Sequence, residues 1–157
     1  MRERMHTNQS SKLFPNTYLG NWEADVFEVT KSGYLYEYEV KITRADFKKD
    51  AEKCSGWVCN KENGFIREDI TKFNQLREGK RVNYFYYLVP EGLITVDELP
   101  EFAGLIYINT KYRHPSFKTV KVAPKLSTDK ITDQRMMKLY ESSYYRFHDY
   151  RRQLFKT

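Results

Sequence analysis

Two neighbouring stretches, WEADVFEV (22–29) and YLYEYEVKI (34–42), constrain the fold more than anything else in the chain. The first is rich in strand formers. The second alternates, with Tyr34, Tyr36, Tyr38, Val40 and Ile42 on one face and Leu35, Glu37, Glu39 and Lys41 on the other. A period of two marks a strand, because successive side chains point to opposite faces. Between the stretches lies Lys31-Ser32-Gly33. Three-residue hairpin loops favour glycine at the third position, where the backbone turns left-handed. An antiparallel hairpin follows, and its register can be counted. Thr30 pairs with Tyr34, Phe27 faces Glu37, Asp25 faces Glu39 and Glu23 faces Lys41.

Thr43 followed by Asp46 is a helix start of capping-box type, which predicts a helix from Arg44 to about Lys53. Residues 54–80 are irregular and polar, with Asn63-Gly64 as a turn and a short helix near Asp69 to Arg77. VNYFYYLVP is a strongly apolar strand ending at Pro90, and AGLIYIN (103–109) is another. VDELPEFA reads as loop and turn, with Pro100 limiting any helix, and TVKVA (119–123) reads as a short edge strand. ITDQRMMKLYESSYYRFHDYRRQLF (131–155) is a long amphipathic helix with Met137, Tyr140, Tyr144, Phe147 and Leu154 as its apolar stripe. That stripe suits core packing better than a dimer seam. Strands, helix, strands, helix is the order of an α/β domain with a mixed sheet. Residues 1–12 are polar and loose, apart from a short helix at Arg2 to Met5.

The chain's 157 residues suit one domain with an ordinary core. No apolar run reaches the roughly 18–20 residues that span a bilayer, and Met1 to Lys12 lacks a secretory h-region. The cytoplasm is therefore the default address, and no membrane partner is expected. Ten of the 27 Lys and Arg, but only four of the 21 Asp and Glu, fall in residues 118–157. This last stretch thus carries the whole net charge of +6. Such a basic region suits a polyanionic partner, or simply solubilises the surface. Cys54 and Cys59 read as two thiols rather than half a zinc site, since His6, His114 and His148 are scattered. No G-x-S-x-G, P-loop or dinucleotide fingerprint is present.

The chemistry concentrates on the hairpin. Cβ atoms of directly opposed residues lie about 4.5–5.5 Å apart, so Asp25 and Glu39 repel unless something positive sits between them. A Mg²⁺-type ion fits, because it takes hard oxygen ligands and often one or two carboxylates. Lys41 shares the face of Glu39, and the following helix directs its first N–H groups toward the same strand end. Two acids, a lysine and a helix start form a phosphodiester-cleaving arrangement. On spacing alone, ordinary solvated strand residues and a Glu23–Lys41 ion pair remain the alternative.

The segment WEADVFEVTKSGYLYEYEVKITRADF (22–47) resembles the PD-(D/E)XK nuclease superfamily, and within it the MmcB-like and phage-borne branch. The matching pieces are Ala24-Asp25-Val26, Glu39-Val40-Lys41 and Thr43-Arg44-Ala45-Asp46-Phe47. NYFYYLVPEGLI (83–94), ELPEFAGLIYI (98–108) and VKVAPKLS (120–127) resemble later elements of that branch in the same order. The resemblance spans roughly residues 20–50 and 82–150, and residues 54–80 stand apart as an insertion. It implies a restriction-endonuclease-like core, with a central mixed sheet flanked by helices. It also implies a Mg²⁺- or Mn²⁺-dependent deoxyribonuclease, an endonuclease rather than an exonuclease, in DNA repair, recombination or phage and mobile-element DNA metabolism. DNA is then the partner, and a homodimer is the assembly suggested by analogy. Asp25 and Glu39 would ligate the metal with the Val40 carbonyl. Lys41 would orient or activate water and stabilise the developing charge. Arg44, Lys48, Lys49, Arg146, Arg151 and Arg152 are candidates for phosphate contacts. Tyr84, Tyr86 and Tyr87 are candidates for base stacking, though core packing suits them better. The second reading is a non-catalytic DNA-binding or repair-accessory protein on the same fold.

Overall fold

The computed structural model describes residues 11–50, 54–55, 58–60, 64–66, 70–111 and 113–155. The helix expected at Arg2 to Met5 lies outside them, as do Asn63 of the expected turn and the cysteine side chains. A six-stranded mixed sheet organises the chain, in the order β1-β2-β3-β8-β9-β10. Its strands are β1 (Lys12–Leu19), β2 (Trp22–Val29), β3 (Leu35–Val40), β8 (Tyr84–Pro90), β9 (Ala103–Asn109) and β10 (Ser116–Lys121). Four short strands, β4 (Cys54–Ser55), β5 (Val58–Asn60), β6 (Gly64–Ile66) and β7 (Ile70–Thr71), pair separately as β4-β7 and β5-β6. Three α-helices, α1 (Arg44–Lys49), α2 (Lys72–Arg77) and α3 (Asp133–Leu154), and the 3₁₀ turn Val96–Glu98 complete the described elements.

The hairpin forms as its turn chemistry dictates. Thr30 N donates to Tyr34 O at 2.9 Å and Gly33 N to Thr30 O at 2.9 Å. Gly33 takes φ +85°, a region closed to most side chains. The counted register holds at Phe27 opposite Glu37, but the ladder ends at Val26 opposite Tyr38, so the expected Asp25–Glu39 and Glu23–Lys41 pairs are not part of it. From β3 the chain crosses through α1 and later α2 to β8, which runs parallel to β3, and β9 runs parallel to β8. Parallel neighbours need such long connections. β10 closes the far edge antiparallel to β9, with a bulge between Thr119 and Lys121.

The first strand was hidden in the sequence. Pro15 argues against a strand interior, yet β1 is an edge strand, where a missing N–H is tolerated. The β1–β2 ladder skips the Asn16–Asp25 pair, and Asn16 adopts φ 48°, a conformation for which Asn is several-fold enriched. Helix α3 lies along this strand. Tyr18 N donates to Ser142 Oγ at 3.0 Å, and the Phe14 and Tyr140 rings meet edge to face at 5.3 Å. An exposed sheet edge is thereby covered.

The helices pack on one face of the sheet. Phe47 of α1, Phe73 and Leu76 of α2, and Met136 and Leu139 of α3 join Phe27, Leu35, Phe85, Tyr87 and Leu105 in one apolar core. The opposite face carries Val26, Tyr38, Tyr86, Leu88, Ile106 and Ala123, with Tyr36 and Tyr84 partly buried beside them. Gly104 makes room there: a Cβ on it would lie 2.4 Å from the Tyr86 ring. Asn83 ties the hairpin to the segment before α3. It accepts from Leu35 N at 2.7 Å and donates to Ser127 O and Asp129 O, both at 2.8 Å.

The expected apolar stripe of α3 is a correction. Met137, Tyr144, Phe147 and Leu154 are all more than half exposed, Tyr140 is 42% exposed, and Leu139 is the buried residue of the helix. Periodicity identified a face, but it could not reveal where the sheet beneath that face ends.

Candidate active site

Glu37, Glu39 and Lys41 share the helix-covered face of β3 with Leu35, and all three are buried. They are not the solvated strand face that spacing alone allowed. Burying ionised groups is costly unless each is paired, and here the pairing is dense. Arg81, just before β8, donates from Nε and Nη2 to Glu37 at 2.6 and 3.0 Å, and from Nη1 to the Leu19 carbonyl at 3.2 Å. Lys72, the first residue of α2 and fully buried, places its ammonium 2.8 Å from Glu37 Oε1 and also against Glu39 Oε1. Lys41 lies 3.3 Å from Glu39 Oε2 and 2.9 Å from Asp50 Oδ1. Asp50, at the end of α1, accepts from the Tyr87 hydroxyl at 2.8 Å. Three buried carboxylates thus meet three buried cations.

The electrostatics follow from this packing. Burial pushes Glu37 up, but Arg81 and then Lys72 outweigh it and hold that carboxyl below the usual range. Burial pushes Glu39 above the usual range, with Lys72 opposing and Glu37 reinforcing the rise. Burial pulls Lys41 down, but Asp50 and Glu39 overcome it, so the ammonium keeps its proton more firmly than usual. Lys72 is held charged in the same way by Glu37 and Glu39. Burial and Asp50 together raise the Tyr87 phenol, which therefore stays a neutral donor.

Asp25 stands at the edge of this cluster and is partly exposed. Ladder pairing between β2 and β3 stops at Val26–Tyr38, so Asp25 is unpaired in the sheet on both sides. Its carboxylate takes the place of a backbone acceptor: Val40 N donates to Asp25 Oδ2 at 2.7 Å. A strand residue's N–H and C=O point to the same edge, so the Val40 carbonyl faces the Asp25 side as well. The structure therefore gathers Asp25, Glu39, Val40 and Lys41 at one end of the hairpin. Among the described residues, no group of three or more His, Cys, Asp and Glu is arranged to hold a metal ion. The donor set here is instead two carboxylates and one carbonyl. These are hard oxygens of the kind that Mg²⁺ or Mn²⁺ takes, and both Glu39 oxygens face ammonium groups.

Other expected residues are differently engaged. Arg44 forms a two-pronged ion pair with Glu98, fixing α1 to the 3₁₀ turn Val96–Glu98. Glu23 is paired with Arg146 rather than Lys41, and Arg146 Nε also donates to Asn16 O at 3.1 Å. Arg152 lies 3.7 Å from Asp149. Lys48, Lys49 and Arg151 are exposed. Tyr87 is fully buried and Tyr86 nearly so, while Tyr84 is partly exposed and stacks on Tyr36 at 4.5 Å. Sequence reasoning missed Asp50, Lys72 and Arg81. Only the Thr71 cap, which accepts from Asn74 N and starts α2 at Lys72, leaves a trace in the sequence.

No family model matches the chain, and no curated protein does. A solved structure does: a protein of unknown function from Silicibacter pomeroyi, 18% identical, with a TM-score of 0.55 over 92% of this chain and 78% of that one. At this identity the likeness is one of fold, an α/β domain whose mixed sheet carries its helices on one face rather than flanking both. No helix among the described residues is long and apolar enough to cross a membrane.

Proposed function

We propose that this protein is a Mg²⁺- or Mn²⁺-dependent DNA nuclease, an endonuclease rather than an exonuclease, working in DNA repair, recombination or phage and mobile-element DNA metabolism. The observation that carries the reading is the end of the β2–β3 pair. There Asp25 leaves the ladder, bonds Val40 N and lies beside the strand that presents Glu39 and Lys41 on one face. Asp25, Glu39 and the Val40 carbonyl would hold the cation. When bound, it supplies Lewis-acid charge and lowers the pKa of its water. Lys41 acts as a charged donor rather than a base, because Asp50 and Glu39 keep it protonated. A protonated lysine stabilises negative charge building on a phosphoryl oxygen. The basic last third of the chain suits the DNA backbone.

The test is incubation of wild type and Lys41→Ala with supercoiled, linear, single-stranded and branched DNA, in Mn²⁺ and in EDTA. Cleavage by wild type alone, and only with metal, is expected. Failure to cut any DNA form would refute the enzyme reading. One observation favours the non-catalytic DNA-binding alternative: both Glu39 oxygens already face lysines. It would give salt-sensitive DNA binding that is indifferent to Lys41→Ala and to chelator.

A further inference from the structure

Lys72 belongs to no part of the resemblance, yet it is the most deeply buried cation of the site. Its ammonium is fully enclosed and bridges two carboxylates, Glu37 on one side and Glu39 on the other. Two carboxylates alternating on one strand face repel each other across a medium of low effective dielectric, and Lys72 lies between them and contacts both. It sits where Glu39 would otherwise seek a positive partner. The remaining oxygen of Glu39 faces Lys41 at 3.3 Å, the longer of the two Lys41 contacts.

Among the described residues, the buried cations Lys41, Lys72 and Arg81 contact Glu37, Glu39 and Asp50. Lys72 lies against Glu39, so a dication on Asp25 and Glu39 must enter against its field. Because Lys72 is anchored at the start of α2 by the Thr71 cap and by Leu76, which is fully buried one turn later, its ammonium is a built part of the site.

From this geometry we infer that Lys72 is an internal counter-ion that competes with the divalent cation for Glu39 and keeps metal binding weak in the DNA-free protein. The inference rests on the metal-site reading above. It gives Lys72 two roles: it holds the fold together when no metal is bound, and it sets the threshold for metal entry. Lys72 has no place in the chemistry itself, so its signature is a change in metal affinity.

The experiment is a Mn²⁺ titration of the metal-free full chain, read from the electron paramagnetic resonance signal of free Mn²⁺, with folding checked by circular dichroism. The proteins are wild type, Lys72→Met, the double variant Glu37→Gln/Lys72→Met, and Glu39→Gln. The double variant removes one buried charge of each sign and is the one scored if Lys72→Met alone does not fold. Removing a unit charge a few ångströms from a dication strengthens binding by about tenfold or more at an effective dielectric near 20. Tighter Mn²⁺ binding in the Lys72 variants, with binding lost in Glu39→Gln, is the expected result. Equal or weaker affinity in the Lys72 variants, with binding still dependent on Glu39, overturns the competition while leaving the metal site standing. Folded proteins that take up no Mn²⁺ in any form overturn the metal site itself, and the inference with it.

Discussion

Where β3 and β8 lie side by side, Glu37, Glu39 and Lys41 point into one face of the sheet, and Tyr36 and Tyr38 into the other. The first face is closed by helices and holds ions. The second holds a row of tyrosines: Tyr36 stacks on Tyr84 at 4.5 Å and Tyr38 on Tyr86 at 5.7 Å, and the Tyr38 hydroxyl donates to Glu28 at 2.7 Å. The two faces are packed by different means. Stacked rings bury much area and ask for one hydrogen bond each. Buried ions gain little net stability over apolar residues of the same size, yet removing one partner is severe. A fold that needed stability alone would use the tyrosine solution on both faces. The ionic face therefore reads as a site and the tyrosine face as scaffold.

The comparison can be broken most forcefully at Arg81. Arg81→Ala strips Glu37 of its two-pronged partner inside the core, and a loss of about 3–5 kcal/mol is expected in urea unfolding. Tyr38→Phe on the opposite face removes one hydroxyl but keeps the ring, and should cost about 1–2 kcal/mol. Tyr84→Ala removes a partly exposed ring from its stack and should cost about 1 kcal/mol. If Tyr38→Phe matched Arg81→Ala, the two faces would not differ in kind.

Acid sharpens the same contrast. The Glu37 pKa is lower in the folded protein than its ordinary value of 4.5. Its contribution is thus present above that value and is lost as pH falls through the depressed folded value. The stability gap between wild type and Glu37→Gln should therefore shrink as pH falls below the ordinary value of 4.5 toward the depressed folded value. The gap for Tyr84→Ala should stay level, since nothing on that ring titrates in this range. Glu39, raised by burial, works in the opposite direction, so the Glu37→Gln comparison isolates the signal better than the wild-type curve alone.

Much of this was legible in the sequence. The alternation at 34–42 and the glycine of the loop gave the hairpin and its register, down to Phe27 opposite Glu37, because turn geometry and a period of two leave little freedom. The apolar strands 84–90 and 103–109 and the helix α3 were equally readable, since local chemistry decides them. β1 was not, because Pro15 and Asn16 break every strand rule except those of an edge. Nor was the company kept by Glu39. Lys72 and Arg81 lie more than 30 residues away along the chain, and a buried lysine has the same letter as an exposed one. The α3 stripe misled for a related reason: a helical face can be read locally, but what lies under it cannot.

Asp25→Asn offers the most direct test of the central claim, that the end of the β2–β3 pair is a metal-dependent phosphodiesterase site. An amide oxygen can still accept from Val40 N, so the variant should unfold within about 1 kcal/mol of wild type. With Mn²⁺ and the DNA form that wild type cuts, it should leave the DNA whole. Cleavage by Asp25→Asn at the wild-type rate would contradict the assignment.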